Sequence, residues 1–330
     1  MIQKKCQAIS FCCSLILLGI ALSPGTQGEA ADFPIKSVQL IAPYAAGGIV
    51  DTVGRLVSSK SQEYLGQPMV VVNKPGAGAT LGMDFVAKSK PDGYTLGVGS
   101  NGPLGIGPAI TPNLPYDPIK SFTPVCQLVG MMYILQVRAD SQLNTFEKLV
   151  DYAKKNPGKL SYGSAGVGSG QHFVGELLQR EAGIQMVHVP YKGSSPNVMA
   201  LLGGHIDLNI TTISEAMEQI KAGKFTPLVV TGSVRDERLP QVPSLAEKKY
   251  PGAVITGWVG ILGPAGLPKH IVDRLANYFQ KSLALPDLQT KMKELWLDQT
   301  YKGPFEWGKL IESEGKRFMD LAKAANIKVE

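Results

Sequence analysis

The chain has 330 residues, 44% of them hydrophobic and 18% charged, with a formal net charge of +6. These proportions exclude a disordered chain and supply apolar surface for two cores of ordinary domain size. Lys and Arg are scattered rather than gathered into a stripe interleaved with aromatics, so nucleic acid is not an expected partner, while the mild positive balance suits an anionic ligand.

Residues 1–30 read as an export signal. Lys4 and Lys5 open it, residues 9–22 form its apolar run, Ser23-Pro24-Gly25 breaks that run, and Gly28-Glu29-Ala30 offers small residues around a cleavage site. The run is about fourteen residues, short of the ~20 a spanning helix needs. A chain starting near Ala31 and working in the periplasm is expected. Cys6, Cys12 and Cys13 lie in the leader, which leaves Cys126 without a disulfide partner. The four histidines, His172, His188, His205 and His270, show no i,i+4 pair and join no carboxylate cluster. Neither a metal nor a cofactor is expected.

Beyond the leader, short apolar runs alternate with amphipathic stretches, the pattern of α/β units on a largely parallel sheet. Residues 38–42 read as a strand and 51–65 as a helix stopped by Gly66. Residues 69–72 read as a strand, 80–88 as a helix, and 94–98 as a strand after the turn Pro91-Asp92-Gly93. Residues 131–137 follow as a strand. A helix from Asn144 to Lys155 opens on a capping box of Asn144 and Glu147. Residues 159–162 read as a strand, 171–182 as a helix stopped by Gly183, and 187–189, 206–210 and 228–231 continue the alternation. The last third carries a strand over 257–262 and two long helices, marked by Ile271, Leu275, Phe279 and Leu283 and then by Leu310, Ile311, Phe318 and Leu321. Trp258 is expected in the core or at a hinge.

Two glycine-rich loops stand out, each between a strand and a helix start. The first runs Pro43-Tyr44-Ala45-Ala46-Gly47-Gly48-Ile49-Val50-Asp51, the second Ser164-Ala165-Gly166-Val167-Gly168-Ser169-Gly170-Gln171-His172. Free N–H groups and partial positive charge at a helix start, with glycine allowing close approach, make an anion site that needs no cationic side chain. Neither loop contains Lys or Arg. Nucleotide fingerprints are absent: Gly166, Gly168 and Gly170 are spaced G-x-G-x-G, and no Gly-Lys-Ser or Gly-Lys-Thr occurs. Ser164 or Ser169, His172 and Asp207 hold the residue types of a hydrolytic triad, but no G-x-S-x-G elbow accompanies them. Asp51 has two readings, a brace for the Gly47-Gly48 turn or a ligand contact. Tyr191 either lines the cleft or packs.

The segment from Pro43 to Asp51, then Asn73-Lys74-Pro75-Gly76-Ala77-Gly78 and Pro91-Asp92-Gly93-Tyr94-Thr95-Leu96, resembles the N-terminal lobe of the tripartite tricarboxylate transporter substrate-binding proteins, the Bug receptors. Leu114-Pro115-Tyr116-Asp117-Pro118, Gly166-Val167-Gly168-Ser169, His188-Val189-Pro190-Tyr191-Lys192-Gly193 and Gly263-Pro264-Ala265-Gly266-Leu267-Pro268 extend the match in the family's order. The resemblance implies an α/β two-lobed periplasmic binding protein fold, type II-like, with two hinge crossovers. Lobe one would take 31–133 plus 256–330 and lobe two 134–255. It further implies a non-enzymatic monomer that captures a small carboxylate or dicarboxylate for a membrane permease or a membrane sensor. By position, Ala46, Gly47 and Gly48 would contact the ligand from the first lobe and Ser164, Gly168, Ser169 and His172 from the second. Asp51 matches the family's aspartate. Tyr44, Asn101, Val167, Tyr191 and Asp207 complete the ligand-binding candidates. Departures from the family pattern are Ala46 where a proline is usual, Ala79-Thr80 in place of a glycine, and Asn209-Ile210-Thr211-Thr212 in place of an aromatic-containing segment.

Overall fold

The computed structural model describes residues 33–327 except 112 and 325, so the expected export signal lies outside the described residues. In chain order the elements are β1 (Val38–Ala42), α1 (Ile49–Ser58), α2 (Ser61–Tyr64), β2 (Met69–Asn73), α3 (Thr80–Ala87), β3 (Thr95–Ser100), α4 (Gly107–Ile110), β4 (Phe122–Arg138), α5 (Phe146–Lys155), β5 (Leu160–Ser164) and α6 (Gly170–Ala182). They continue with β6 (Met186–Pro190), α7 (Ser194–Leu202), β7 (Leu208–Thr212), α8 (Ile213–Lys221), β8 (Phe225–Val230), β9 (Thr256–Pro264), α9 (Lys269–Leu283), α10 (Pro286–Glu294), β10 (Asp298–Lys302) and α11 (Pro304–Ala324).

Local chemistry explains the boundaries. The helix expected over 51–65 divides because the Ser59 hydroxyl donates to the Leu56 carbonyl at 2.7 Å and ends α1 before α2 begins. Helix α5 is capped one residue later than expected. Thr145 Oγ1 accepts from the Lys148 N–H, whereas Asn144 Oδ1 accepts from Lys148 Nζ instead of capping. Gly183 ends α6 with φ 64°, a left-handed cap.

The sheet is mixed rather than largely parallel. Its order is β2-β1-β3-β9-β4-β7-β5-β6, with β8 and β10 also paired to β4. The pairs of β1 with β2 and β3, and of β5 with β6 and β7, are parallel. Every pairing of β4 and β9 is antiparallel. These two strands are the crossovers, and their direction alternates with the βα units on either side.

Strand β4 organises the molecule. Residues 122–132 pair with β9, and residues 133–138 pair with β7 and β8. Register then fixes where the strand ends meet. Ser100, the last residue of β3, pairs with Val259, which pairs with Val129. Thr212, the last residue of β7, pairs with Tyr133. Two sets of parallel strands thus deliver their carboxyl ends, from opposite directions, to the middle of one strand. Ligands of open α/β sheets bind at such carboxyl ends.

The first set rests on a core of Ile41, Met83, Leu104, Phe122, Leu262 and Trp307. Trp258 belongs to this core, edge-on to Trp307 with ring centroids 4.8 Å apart. The second set covers separate clusters around Ile134, Met217 and Val230, and around Leu201, Ile206 and Phe225.

Candidate functional site

A cavity of about 380 Å³, its mouth included, opens where the strand ends converge. Met131 and Tyr133 of β4 form its floor, and Ser100, Asn101 and Gly102 follow β3 into it. The remaining wall is built from four helix starts: Gly48, Ile49 and Val50 at α1, Ser169, Gly170 and Gln171 at α6, Ser194 at α7, and Thr212 at α8. Among the described residues no charged side chain lines it. Four converging N-termini give a positive potential from backbone dipoles alone.

The polar groups are arranged by mutual bonding. Tyr133 Oη donates to Asn101 Oδ1 at 3.0 Å, which leaves the fully buried Asn101 Nδ2 without a protein partner. Gln171 accepts from the Ala165 N–H at 2.7 Å and donates to Ser194 Oγ at 2.9 Å, tying α6 to α7. Ser169 Oγ caps α6 by accepting the His172 N–H. Burial pushes the Tyr44 phenol up to about 12; a hydrogen bond with Ser100 opposes that rise and the charge of Glu215 adds to it.

The structure brings Tyr44, Gly48, Asn101 and Ser169 of the expected set to the cavity wall. Asp51 stands behind the wall and is saturated. Its carboxylate accepts the Gly47 N–H at 2.9 Å, Asn73 Nδ2 at 2.9 Å, and both Nε and Nη2 of Arg55. Burial raises this carboxyl, but the bonds from Arg55, Gly47 and Asn73 outweigh it and hold it below its ordinary value. Gly47 adopts φ 84°, and a Cβ there would sit 2.7 Å from Ser195 Oγ, so the turn Asp51 braces requires glycine. Ala46 is exposed beside this turn. Of the two readings of Asp51, bracing is the one its bonds express.

Ser164, Val167, Gly168 and His172 shape the second loop from behind. Ser164 Oγ bonds to His188 Nε2 at 2.7 Å and receives the Gly166 N–H. Gly168 donates its N–H to His172 Nδ1. A Cβ on Gly78 would overlap the Val167 carbonyl, so this loop lies directly against residues 77–79. His172 stacks on His188 with centroids 4.2 Å apart, and Tyr162 stacks on the other face of His188. Burial lowers the pKa of His172 to about 4; burial and then His172 lower that of His188 to about 3.

Two candidates fall outside this cluster. Asp207 is exposed at the start of β7, where its carboxylate accepts the N–H and hydroxyl of Ser161. It therefore lies at the opposite strand end from the cavity, because in parallel β5 and β7 the residues that begin a strand are a full strand length from its carboxyl end. Tyr191 lines a separate surface hollow with Met199 and Leu202 and packs against the Leu201 cluster. The residue types noted as a triad are likewise separated, with Ser164 bonded to His188 and Asp207 bonded to Ser161.

Sequence reasoning missed Tyr133, Gln171, Ser194, Thr212 and above all Glu215. Glu215 Oε1 accepts the Ile49 N–H at 2.7 Å, and Oε2 accepts from Thr211 Oγ1 and from the N–H and hydroxyl of Thr212. A capping-box spacing, Thr212 to Glu215, was present as a signal for the local half of this arrangement. The long-range half, across to α1, had none.

Comparison with known proteins agrees with the fold. The sequence model of the tripartite tricarboxylate transporter family receptor matches residues 53–327. BugT of Bordetella pertussis is 33% identical over 275 residues, covering 82% of this chain and 84% of BugT. The structure of MatC from Rhodopseudomonas palustris with bound malate superposes with a TM-score of 0.83 at 32% identity, covering 88% of this chain and 99% of MatC. A second R. palustris protein, solved with adipate, gives a TM-score of 0.85 at 30% identity, covering 90% of this chain and 99% of that one. With matching motifs in order, matching fold and a match over most of its length, the chain belongs to the tripartite tricarboxylate transporter receptor family, the Bug receptors.

Proposed function

We propose that this chain captures a small carboxylate in the cavity between the four helix starts and hands it on without breaking a bond. The observation that carries this reading is a cavity walled by helix N-termini and lined by no charged side chain among the described residues, with the buried amide of the lining residue Asn101 unpartnered. Desolvating a carboxylate costs several kcal/mol. Hydrogen bonds to a charged acceptor contribute roughly 1.5–3 kcal/mol each, so donors from Asn101, Ser169 and the start of α6 offset that cost. The related proteins solved with malate and adipate support the ligand class.

Two lobes, 31–133 plus 256–330 and 134–255, would close on the ligand about β4 and β9, the two strands that cross between them. The Ala45 N–H donates to the Lys192 carbonyl at 3.0 Å, a contact that closure would make and opening would break. An export signal, a periplasmic location and delivery to a membrane permease complete the proposal; the family's role as a transporter receptor supports them.

Thermal-shift screening of the purified chain against mono-, di- and tricarboxylates tests it. A ligand at 100 times its Kd stabilises the folded state by about 2.7 kcal/mol, a clear upward shift. Asn101→Ala and Ser169→Ala are expected to weaken that shift. No shift with any carboxylate at millimolar concentration would remove the proposal.

A further inference from the structure

Glu215 stands behind the wall of this cavity, bonded to the lining residues Ile49 and Thr212 rather than lining it itself. Its carboxylate bridges two of the four helix starts, accepting the first N–H of α1 through Oε1 and the first donors of α8 through Oε2. The Ile49 N–H is a donor that an acidic ligand would otherwise engage on that side. Both phenols at the cavity register the charge, because Glu215 contributes to raising Tyr44 and Tyr133. Among the described residues no cationic side chain lines the cavity to balance it. What remains for a ligand is the other half of the wall: the starts of α6 and α7, Ser169 and Ser194, and the unpartnered Asn101 Nδ2.

We infer that Glu215 is a specificity-determining residue that makes the cavity select monocarboxylates over dicarboxylates. The inference rests on the carboxylate-binding reading above and narrows it. One ligand carboxylate sits at α6, α7 and Asn101. The opposite wall, at α1 and α8, is backed by a built-in carboxylate bonded to its N–H groups and takes a neutral or hydrogen-bond-donating ligand end. A second ligand carboxylate there faces a like charge in a desolvated site and finds the α1 N–H already engaged.

Isosteric pairs isolate the effect, since a monoamide keeps the shape of the diacid and removes one charge. Calorimetric titration of the full chain with succinate against succinamate, glutarate against glutaramate, and adipate against adipamate is the experiment. The wild-type protein is expected to bind the monoamide of the best-fitting length at least about tenfold more tightly than its diacid, the scale of a like-charge contact at partly screened distance. In Glu215→Gln the preference is expected to narrow by about tenfold, with the diacid gaining and the monoamide nearly unchanged. The wild-type ratio needs no variant, so poor folding of Glu215→Gln does not shelter the inference. Equal or tighter binding of the diacid by the wild type overturns it while leaving the carboxylate reading intact. So does an unchanged ratio in a folded Glu215→Gln. If no member of any pair binds, the carboxylate reading itself fails and this inference falls with it.

Discussion

Asp51 offers the sharpest test of how the first loop is held. Replacing it with alanine strips acceptors from four N–H groups: Gly47, Asn73 Nδ2, and two on Arg55. The Gly47 and Asn73 bonds are sheltered, and losing a charged acceptor there costs roughly 1.5–3 kcal/mol each. The Arg55 side chain is 53% exposed, so its pairing adds only about 0–1 kcal/mol. The expected loss in Asp51→Ala is therefore about 3–7 kcal/mol in urea denaturation followed by circular dichroism. Asp51→Asn keeps the shape but turns an amide donor toward Arg55 or Asn73, and about half that loss is expected. Carboxylate binding should weaken in step with stability, because the Gly47 turn at φ 84° loses its brace. The carboxyl also titrates with a definite sign. Its folded pKa lies below the ordinary 3.8, so its stabilisation is complete at neutral pH and is lost as pH falls below 3.8 toward the depressed folded value; Asp51→Asn should flatten that part of the acid profile. Should Asp51→Asn abolish ligand binding with stability changed by less than about 0.5 kcal/mol, the carboxylate would be touching ligand and the bracing argument would be wrong.

Further expectations concern the cavity floor and the second loop. A Cβ on Gly170 would overlap the Tyr133 hydroxyl, so Gly170→Ala should destabilise by about 1–3 kcal/mol and erase the carboxylate-induced thermal shift; normal binding would show that β4 is not the rigid floor described here. Tyr133→Phe leaves Asn101 Oδ1 buried and unpaired, and a loss of about 1–3 kcal/mol by denaturant titration is expected. Stacked His172 and His188 have folded pKa values lowered to about 4 and about 3 against an ordinary 6.5. The unfolded chain therefore takes up their protons first, and stability should fall as pH drops from about 6.5 toward 4, by roughly 1.4 kcal/mol per pH unit for each fully excluded proton. His188→Gln should flatten that slope in pH-dependent melting curves, and an unaltered slope would place the sensitivity elsewhere.

Much of the fold was legible because it rests on local rules. Strands β1 and β2, helix α6 with its Gly183 stop, and the two long C-terminal helices follow from apolar period and capping chemistry, which act within a few residues. The mixed sheet was not legible. Its antiparallel core comes from β4 and β9, and nothing within residues 122–138 states that one strand will serve two sets of partners 71 to 142 positions away. The same division runs through the site. The two glycine loops announce themselves because a helix start and a positive φ are local demands. Asp207 misled because residue type says nothing about which end of a strand a side chain occupies, and parallel pairing with β5 carried it to the far end.

Glu215 shows why ligand identity in such a receptor is harder to read than family. The loops that define the family supply backbone N–H groups, and backbone donors grip any carboxylate alike. Discrimination must come from what neutralises or leaves open the remaining N-termini, and on the inference above that is one side chain 166 positions from the amide it engages. On the inference above, a single acidic residue three positions beyond the departing segment Asn209–Thr212 changes the charge seen by the far end of a ligand without disturbing the fold that presents it. Receptors built on one scaffold can therefore diverge in substrate charge through substitutions at the helix starts the glycine loops do not control. On that inference, the first turn of α8 rather than the conspicuous loops sets the ligand preference of this chain, and the monoamide–diacid ratio is its measure.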